Sequence, residues 1–246
     1  MKSDKVVIFD VYKTLIDIKT DEKDIRVYEA LSKWLLKRGV EASAGQLRKD
    51  FRGFVKEEIC LSKEKYPDVE IGEIFSRIIA RYAGREAGNN IKLIEETAAA
   101  FRALTTSRLS IYPDVITVLK RLRKKVKLAI VSNAQRLFTT RELEKYGLLK
   151  YFDYVLFSSD VKACKPSPKI FRRALKNLKI APRNAVYVGD DPFNDVEGAH
   201  NAGMKTIWID HGTSLLNHKM AGIPDAIVKT ADYKVIPGIA ARLLEQ

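Results

Sequence analysis

From Pro113 onward the chain alternates short apolar runs with amphipathic stretches, and this alternation constrains its fold more than any other feature. The pattern predicts a helix over about 115–123 and a strand over Lys127–Val131, then a helix over Phe138–Tyr146 and a strand over Tyr154–Phe157. A helix opened by Ser167 and Pro168, a strand over Ala185–Val188, a helix near Val196–Ala202 and a strand over Thr206–Ile209 complete the series. Pro168 suits a first helical turn, where its missing N–H has no intrahelical partner to lose. Strand–helix repetition with short loops implies βαβ units, and hence a parallel sheet covered by helices.

One more strand stands far upstream. Val6–Phe9 is continuously apolar, reads as a strand buried on both faces, and ends at Asp10. Between about Thr20 and Ser110 the period changes. Ile25, Tyr28, Leu31 and Leu35 recur at helical spacing behind the capping-type residues Thr20 and Asp21. Ile74, Ile78, Ile79 and Tyr82 repeat the pattern, as do Ile91, Ile94, Ala98 and Phe101, with breaks at Gly39, Pro67 and Gly88–Asn90. These segments predict an all-helical insert of about four helices. The insert must leave and rejoin the sheet near Asp10, which places it as a lid over the strand ends.

Composition removes several classes. At 246 residues and 46% hydrophobic content the chain can bury a real core and is not a disordered polyelectrolyte. No apolar run approaches the roughly 20 residues that span a bilayer, and the N-terminus has no signal-peptide pattern, so a cytoplasmic protein without a membrane partner is expected. Cys60 and Cys164 lie far apart with no CxxC pairing, and His200, His211 and His218 form no spaced motif, which argues against disulfides and zinc. The net charge of +13 is concentrated: residues 114–184 hold 18 Lys or Arg against 5 Asp or Glu, while the remainder carries 26 of each sign. No aromatic stacking motif interleaves those charges as a nucleic-acid platform would need. The excess reads as solvated helix faces, with no nucleic-acid partner.

In a parallel α/β sheet, ligands sit beyond the carboxyl ends of the strands. Polar residues gather at those ends here: Asp10-Val11-Tyr12-Lys13-Thr14, Ser132-Asn133, Lys165-Pro166, and Gly189-Asp190-Asp191 running on to Asp195. These four motifs, in this order and context, resemble those of the haloacid dehalogenase superfamily of hydrolases. The resemblance covers nearly the whole chain and is most extended over Gly189–Gly203. It implies an α/β fold with a Rossmann-like core over 1–16 and 111–246 and a C1-type helical cap over 17–110.

The resemblance also implies roles. Asp10 is expected as the nucleophile, a carboxylate that forms a covalent intermediate, and Lys165 as the cation that neutralises charge on it. Thr14, Ser132 and Asn133 are expected to bind the transferred phosphoryl group, with Lys13 beside it. Asp10, Asp190 and the Tyr12 main-chain carbonyl are expected to hold Mg²⁺, a hard cation that prefers oxygen ligands. Asp191 or Asp195 would bind the waters of that ion or orient Lys165.

Position 12 departs from the pattern. Phosphatases of this superfamily carry a proton-transferring Asp where this chain has Tyr12, and tyrosine, with an ordinary pKa near 10, is a poor base at neutral pH. Asp-x-Tyr resembles instead the metal-independent 2-haloacid dehalogenases, which also use a cap arginine, a place Arg52 roughly fills. Gly-Asp-Asp in the last motif points back to the phosphatases, because unneutralised acids would repel a haloacid. The expected function is therefore a Mg²⁺-dependent phosphatase acting on a small phosphorylated metabolite, as a monomer or homodimer. The alternatives are a 2-haloacid dehalogenase and a weakly active binding or regulatory protein.

Overall fold

A computed structural model of the chain describes residues 4–212 and 224–246; His218 lies outside them. The chain runs β1 (Val6–Phe9), β2 (Ile16–Thr20), α1 (Ile25–Leu36), α2 (Ala44–Leu61), α3 (Ile71–Ala83), α4 (Arg85–Gly88), α5 (Ile91–Thr105) and β3 (Thr106–Ile111). It continues with α6 (Val115–Arg123), β4 (Lys127–Ser132), α7 (Arg136–Lys145), β5 (Tyr154–Phe157), α8 (Ser158–Val161), α9 (Pro168–Leu178) and β6 (Ala185–Gly189). α10 (Gly198–Asn201), β7 (Lys205–Asp210), β8 (Ala226–Lys229) and α11 (Ile236–Glu245) complete it.

Six strands pair in parallel in the order β5-β4-β1-β6-β7-β8, so β1 sits at the centre between β4 and β6. Val6, Val7, Ile8 and Phe9 are fully buried because each face of β1 meets a separate apolar layer. Val7 and Phe9 face the layer of α6 and α11; Val6 and Ile8 face that of α9 and α10. The crossovers change face between β1 and β6, and this is where a crevice opens at the carboxyl end of a doubly wound sheet. α9 is capped by the Ser167 side chain and carries Pro168 in its first turn.

The segment between β2 and β3 packs around its own apolar centre. Tyr28, Phe51, Phe75 and Phe101, one from each of α1, α2, α3 and α5, form a connected ring cluster there. A capping box between Ser43 and Gln46 fixes the start of α2. β2 and β3 pair antiparallel as a two-stranded ribbon through which the chain leaves and re-enters the parallel sheet. That ribbon is not legible in sequence, since its residues are half exposed and its alternation too short to stand out.

Two local expectations need correction. The insert holds five helices rather than about four, because Arg85–Gly88 forms a short extra turn. The helix near Val196–Ala202 starts earlier, as a wide turn over Pro192–Glu197 in which Val196 N–H reaches back to the Asp191 carbonyl. The widening carries the Asp195 side chain back beneath Gly189. A Cβ at Gly189 would lie 2.3 Å from Asp195 Oδ2, so only glycine fits there. Neither cysteine is in a disulfide, and among the described residues no helix is long and apolar enough to cross a membrane.

Candidate active site

Three strand ends and one loop converge on Lys165. Asp10 follows β1, its N–H donating to the Val188 carbonyl of the neighbouring β6. Lys165 Nζ lies 2.6 Å from Asp10 Oδ1, 2.5 Å from Asp195 Oδ1 and 3.0 Å from the Tyr187 hydroxyl, so all three ammonium protons have acceptors. The lysine is only 4% exposed. Burial alone would lower its pKa, but Asp10 and Asp195 outweigh that and hold it above the usual lysine range. Tyr187 in turn donates to the Val131 carbonyl, linking β6 to β4 behind the site. Nothing in the sequence marks Tyr187, which looks like one more apolar residue of a buried strand.

The acid cluster is short of positive charge. Asp10, Asp190 and Asp195 each bring a carboxylate oxygen to within 4.8 Å of the others, and among the described residues Lys165 is the one cation bonded to the group. Burial, with Asp10 and Asp195 nearby, pushes Asp190 up to about 8 despite the opposing charges of Lys13 and Lys165. Asp195 is raised by burial against the pull of Lys165. Such a set of hard oxygen donors suits a divalent cation, which would remove the repulsion. Thr14 Oγ1 and Ser132 Oγ are buried with no hydrogen-bond partner among the described residues. Two orphan hydroxyls at strand ends are the expected lining of a site that receives an oxyanion.

The structure places the remaining expected residues in unequal ways. Asn133 is turned onto neighbouring main chain; Oδ1 accepts from Lys165 N–H at 2.7 Å and Nδ2 donates to the Lys165 carbonyl at 3.2 Å. It therefore clamps the main chain that carries the lysine. Asp191 caps the wide turn through Phe193 N–H and Asn194 N–H, whereas Asp195 is the acid that orients Lys165. Lys13 is exposed, in a left-handed conformation with φ 59°.

Tyr12 faces away from proton exchange. Its hydroxyl donates to Glu142 Oε2 at 2.5 Å, accepts from Arg102 Nη2 at 2.8 Å, and shares a 2.8 Å bond with Thr139 Oγ1. A phenol has one donor and two acceptor sites, so all are filled. Burial drives its pKa far above the usual tyrosine value. Arg52 is exposed on α2, and the cap arginine that reaches the Asp10 loop is Arg102. A cavity of about 290 Å³ opens beside this group, lined by Tyr12, Glu22, Asp68, Arg102, Asn133 and Gln135 among others. Its size suits a small metabolite.

A parallel sheet with a buried Asp–Lys–Asp constellation at its switch point, beside a helical insert, is an arrangement that fits a hydrolase. The family model described as haloacid dehalogenase-like hydrolase matches residues 7–209. The chain belongs to that family. Curated relatives include a phosphoserine phosphatase of Thermus thermophilus, 35% identical over 56% of this chain and 55% of its own length. A glyceraldehyde 3-phosphate phosphatase of Methanopyrus kandleri is 36% identical over 49% and 52%. The chain thus spans about half the length of the curated relatives it matches. Among solved structures, a 2-haloacid dehalogenase of Pseudomonas syringae superposes with TM-score 0.70 at 26% identity, covering 98% of this chain and 99% of that one. A haloacid dehalogenase-type phosphatase of Thermococcus onnurineus gives 0.59 at 27% identity over 95% and 98%.

Proposed function

We propose that this hydrolase is a Mg²⁺-dependent phosphatase acting on a small phosphorylated metabolite through an aspartyl-phosphate on Asp10. The observation that carries the reading is the charge deficit: three clustered carboxylates share a single bonded lysine. The phosphatase names of the curated relatives support it.

In this reading Lys165 holds Asp10 Oδ1 and leaves Oδ2 as the attacking atom. Thr14 and Ser132 donate to the phosphoryl oxygens, satisfying hydroxyls that otherwise have no partner. Asp10, Asp190 and the Tyr12 carbonyl would hold the metal, which supplies positive charge opposite the transferring group. The helical segment over 17–110 shields the covalent intermediate from bulk water. With the Tyr12 hydroxyl fully occupied, no proton reaches the leaving oxygen from position 12, so leaving groups that depart as stable anions react best. The enzyme is expected to release phosphate from p-nitrophenyl phosphate in Mg²⁺ but not in EDTA. Alkyl phosphates of similar size should react roughly 10²- to 10⁴-fold more slowly, the range a positioned acid contributes. Equal rates for both would remove the assigned consequence of Tyr12.

The metal and pH are linked. Asp190 titrates higher in the folded state than in the unfolded chain, so the metal-free fold binds an extra proton between about pH 4 and pH 8. Its stability therefore falls as pH rises through that range, by a few kcal/mol at most. Bound Mg²⁺ displaces the proton, so its affinity should rise about tenfold per pH unit up to about 8 and then level off. Thermal unfolding in EDTA and in Mg²⁺ from pH 5 to 9 measures both trends. A metal-free melting temperature that rises with pH across this range would contradict the raised Asp190.

A second reading, 2-haloacid dehalogenation, is favoured by Asp10-Val11-Tyr12 and by the full-length superposition on the Pseudomonas enzyme. It requires EDTA-resistant chloride release from L-2-chloropropionate, and that result without phosphate release would replace the first reading.

A further inference from the structure

The group around Tyr12 joins three parts of the molecule distant in sequence. Tyr12 lies two residues beyond Asp10, Arg102 is on the last insert helix α5, and Thr139 and Glu142 are on α7 beside the sheet. Arg102 Nε donates to Glu142 Oε1 at 2.7 Å, and Nη2 reaches Glu142 Oε2 at 3.4 Å and the Tyr12 hydroxyl at 2.8 Å. The guanidinium also lies over the rings of Tyr12 and Phe138, about 5 Å from each centroid. The side chains of Arg102 and Glu142 are 13% and 8% exposed, so this is a desolvated pair with its hydrogen bonds made.

The packing around the pair is open. Cavities of about 290 and 440 Å³ are each lined by both Arg102 and Phe138. At this edge the helical insert and the sheet domain are bridged by these polar side chains and by Phe138 of α7, which joins the apolar centre of the insert. Arg102 also stands four residues before β3, and its carbonyl accepts from the Thr106 hydroxyl at the start of the ribbon. Any swing of the insert about the β2–β3 ribbon moves α5, and with it the guanidinium.

The Asp10 loop is built to register such a movement. Tyr12 bridges to Ile16, where β2 begins, and Lys13 N–H donates to the Ile16 carbonyl at 2.7 Å. From below, Tyr233 donates to the Thr14 carbonyl at 2.7 Å. The loop is thus anchored to the sheet domain at Thr14 and, through Thr139 and Glu142, at Tyr12, where Arg102 adds the bond from the insert. The other rim of the insert is tied by residues 66–71, through Tyr66 to Cys164 N–H and Val69 and Ile71 to Gln135, and none of those bonds touches the Asp10 loop.

We propose that Arg102 is a positioning residue that makes the order of the Asp10 loop conditional on closure of the helical cap. With the cap seated, Arg102 joins Glu142 and Thr139 in holding the Tyr12 hydroxyl and fixes the loop that aims Asp10. With the cap displaced, the guanidinium leaves, Glu142 loses its ion-pair partner and Tyr12 keeps only its bonds to α7. The residue at position 12 serves this coupling in place of proton transfer. The inference rests on Asp10 as the nucleophile.

The test uses Arg102→Gln, Arg102→Lys, Glu142→Gln and the Arg102→Gln/Glu142→Gln double variant of the full chain. For p-nitrophenyl phosphate hydrolysis in Mg²⁺, Arg102→Gln is expected to lower kcat roughly 10- to 100-fold, as misplacement of a reacting group does, with KM shifted far less. Arg102→Lys should recover part of kcat, since it keeps the charge but not the fork. The double variant should lose about as much as Arg102→Gln alone, because both changes break one unit. Amide hydrogen exchange should quicken at the hinge ribbon, residues 16–20 and 106–111, and stay unchanged in β4. Unchanged kcat overturns the proposal, as does quickened exchange throughout the sheet, which would make the pair merely structural. A rise in KM alone also overturns it, because Arg102 would then be contacting substrate. If the wild type releases no phosphate, the phosphatase reading fails by itself; the exchange comparison then decides, and an unchanged ribbon overturns the coupling.

Discussion

Asp10→Asn is expected to abolish phosphate release, a loss on the order of 10⁵-fold or more, the scale on which removal of a covalent nucleophile acts. The substitution keeps the size of the side chain and its acceptor oxygen but removes the negative charge that the proposed attack on phosphorus requires. Lys165 still finds an acceptor on the amide oxygen of the variant and keeps its ion pair with Asp195, so the fold is preserved. Removing one charge from a crowded acid cluster also relieves repulsion on Asp190. The variant should therefore unfold at the wild-type temperature or slightly above it in EDTA, while intact-mass measurement after mixing with substrate detects no phosphorylated species. Residual turnover within tenfold of wild type would show that another group attacks.

Lys165→Met is expected to harm stability and rate together. The ammonium is the shared partner of two carboxylates that are themselves buried, and methionine fills the volume without the charge. Removing one member of a buried ionic group and leaving the others uncompensated typically costs about 3–5 kcal/mol. Loss of the cation from the reacting centre lowers kcat by a further 10²- to 10³-fold, about the effect of deleting one preorganised donor. Asp195, already raised by burial, then loses the cation that opposed that rise, so the variant loses less stability at pH 5 than at pH 8. Denaturant unfolding at the two pH values measures this, and a variant equally destabilised at both would mean the lysine acts by packing alone.

The parallel sheet and the strand that ends at Asp10 were readable in sequence because their signals are local. Val6–Phe9 is apolar without interruption, as a short strand buried on both faces is, and the acid that follows stands out against it. The four strand-end motifs were legible for the same reason, each being a short run at a predictable place. The ribbon that joins the insert to the sheet was not, because Ile16–Thr20 and Thr106–Ile111 are short, half exposed and separated by the whole helical insert. Their pairing is a property of the closed chain rather than of either segment.

The functional residues divide in the same way. Sequence alone determined the residue types at the site: a carboxylate at 10, a lysine at 165, acids at 190, 191 and 195, and a tyrosine at 12 where a proton carrier is expected. Tertiary structure decided what each of them touches. It gave Asp195 rather than Asp191 to Lys165, turned Asn133 onto the Lys165 main chain, and enlisted Tyr187 from a strand that reads as core. It also surrounded Tyr12 with Arg102 and Glu142, residues 90 and 130 positions away. Residue identity and periodicity are written along the chain, whereas hydrogen-bond saturation and desolvation arise only when distant segments share one small volume. That shared volume separates a tyrosine that could exchange a proton from one whose every bonding site is filled.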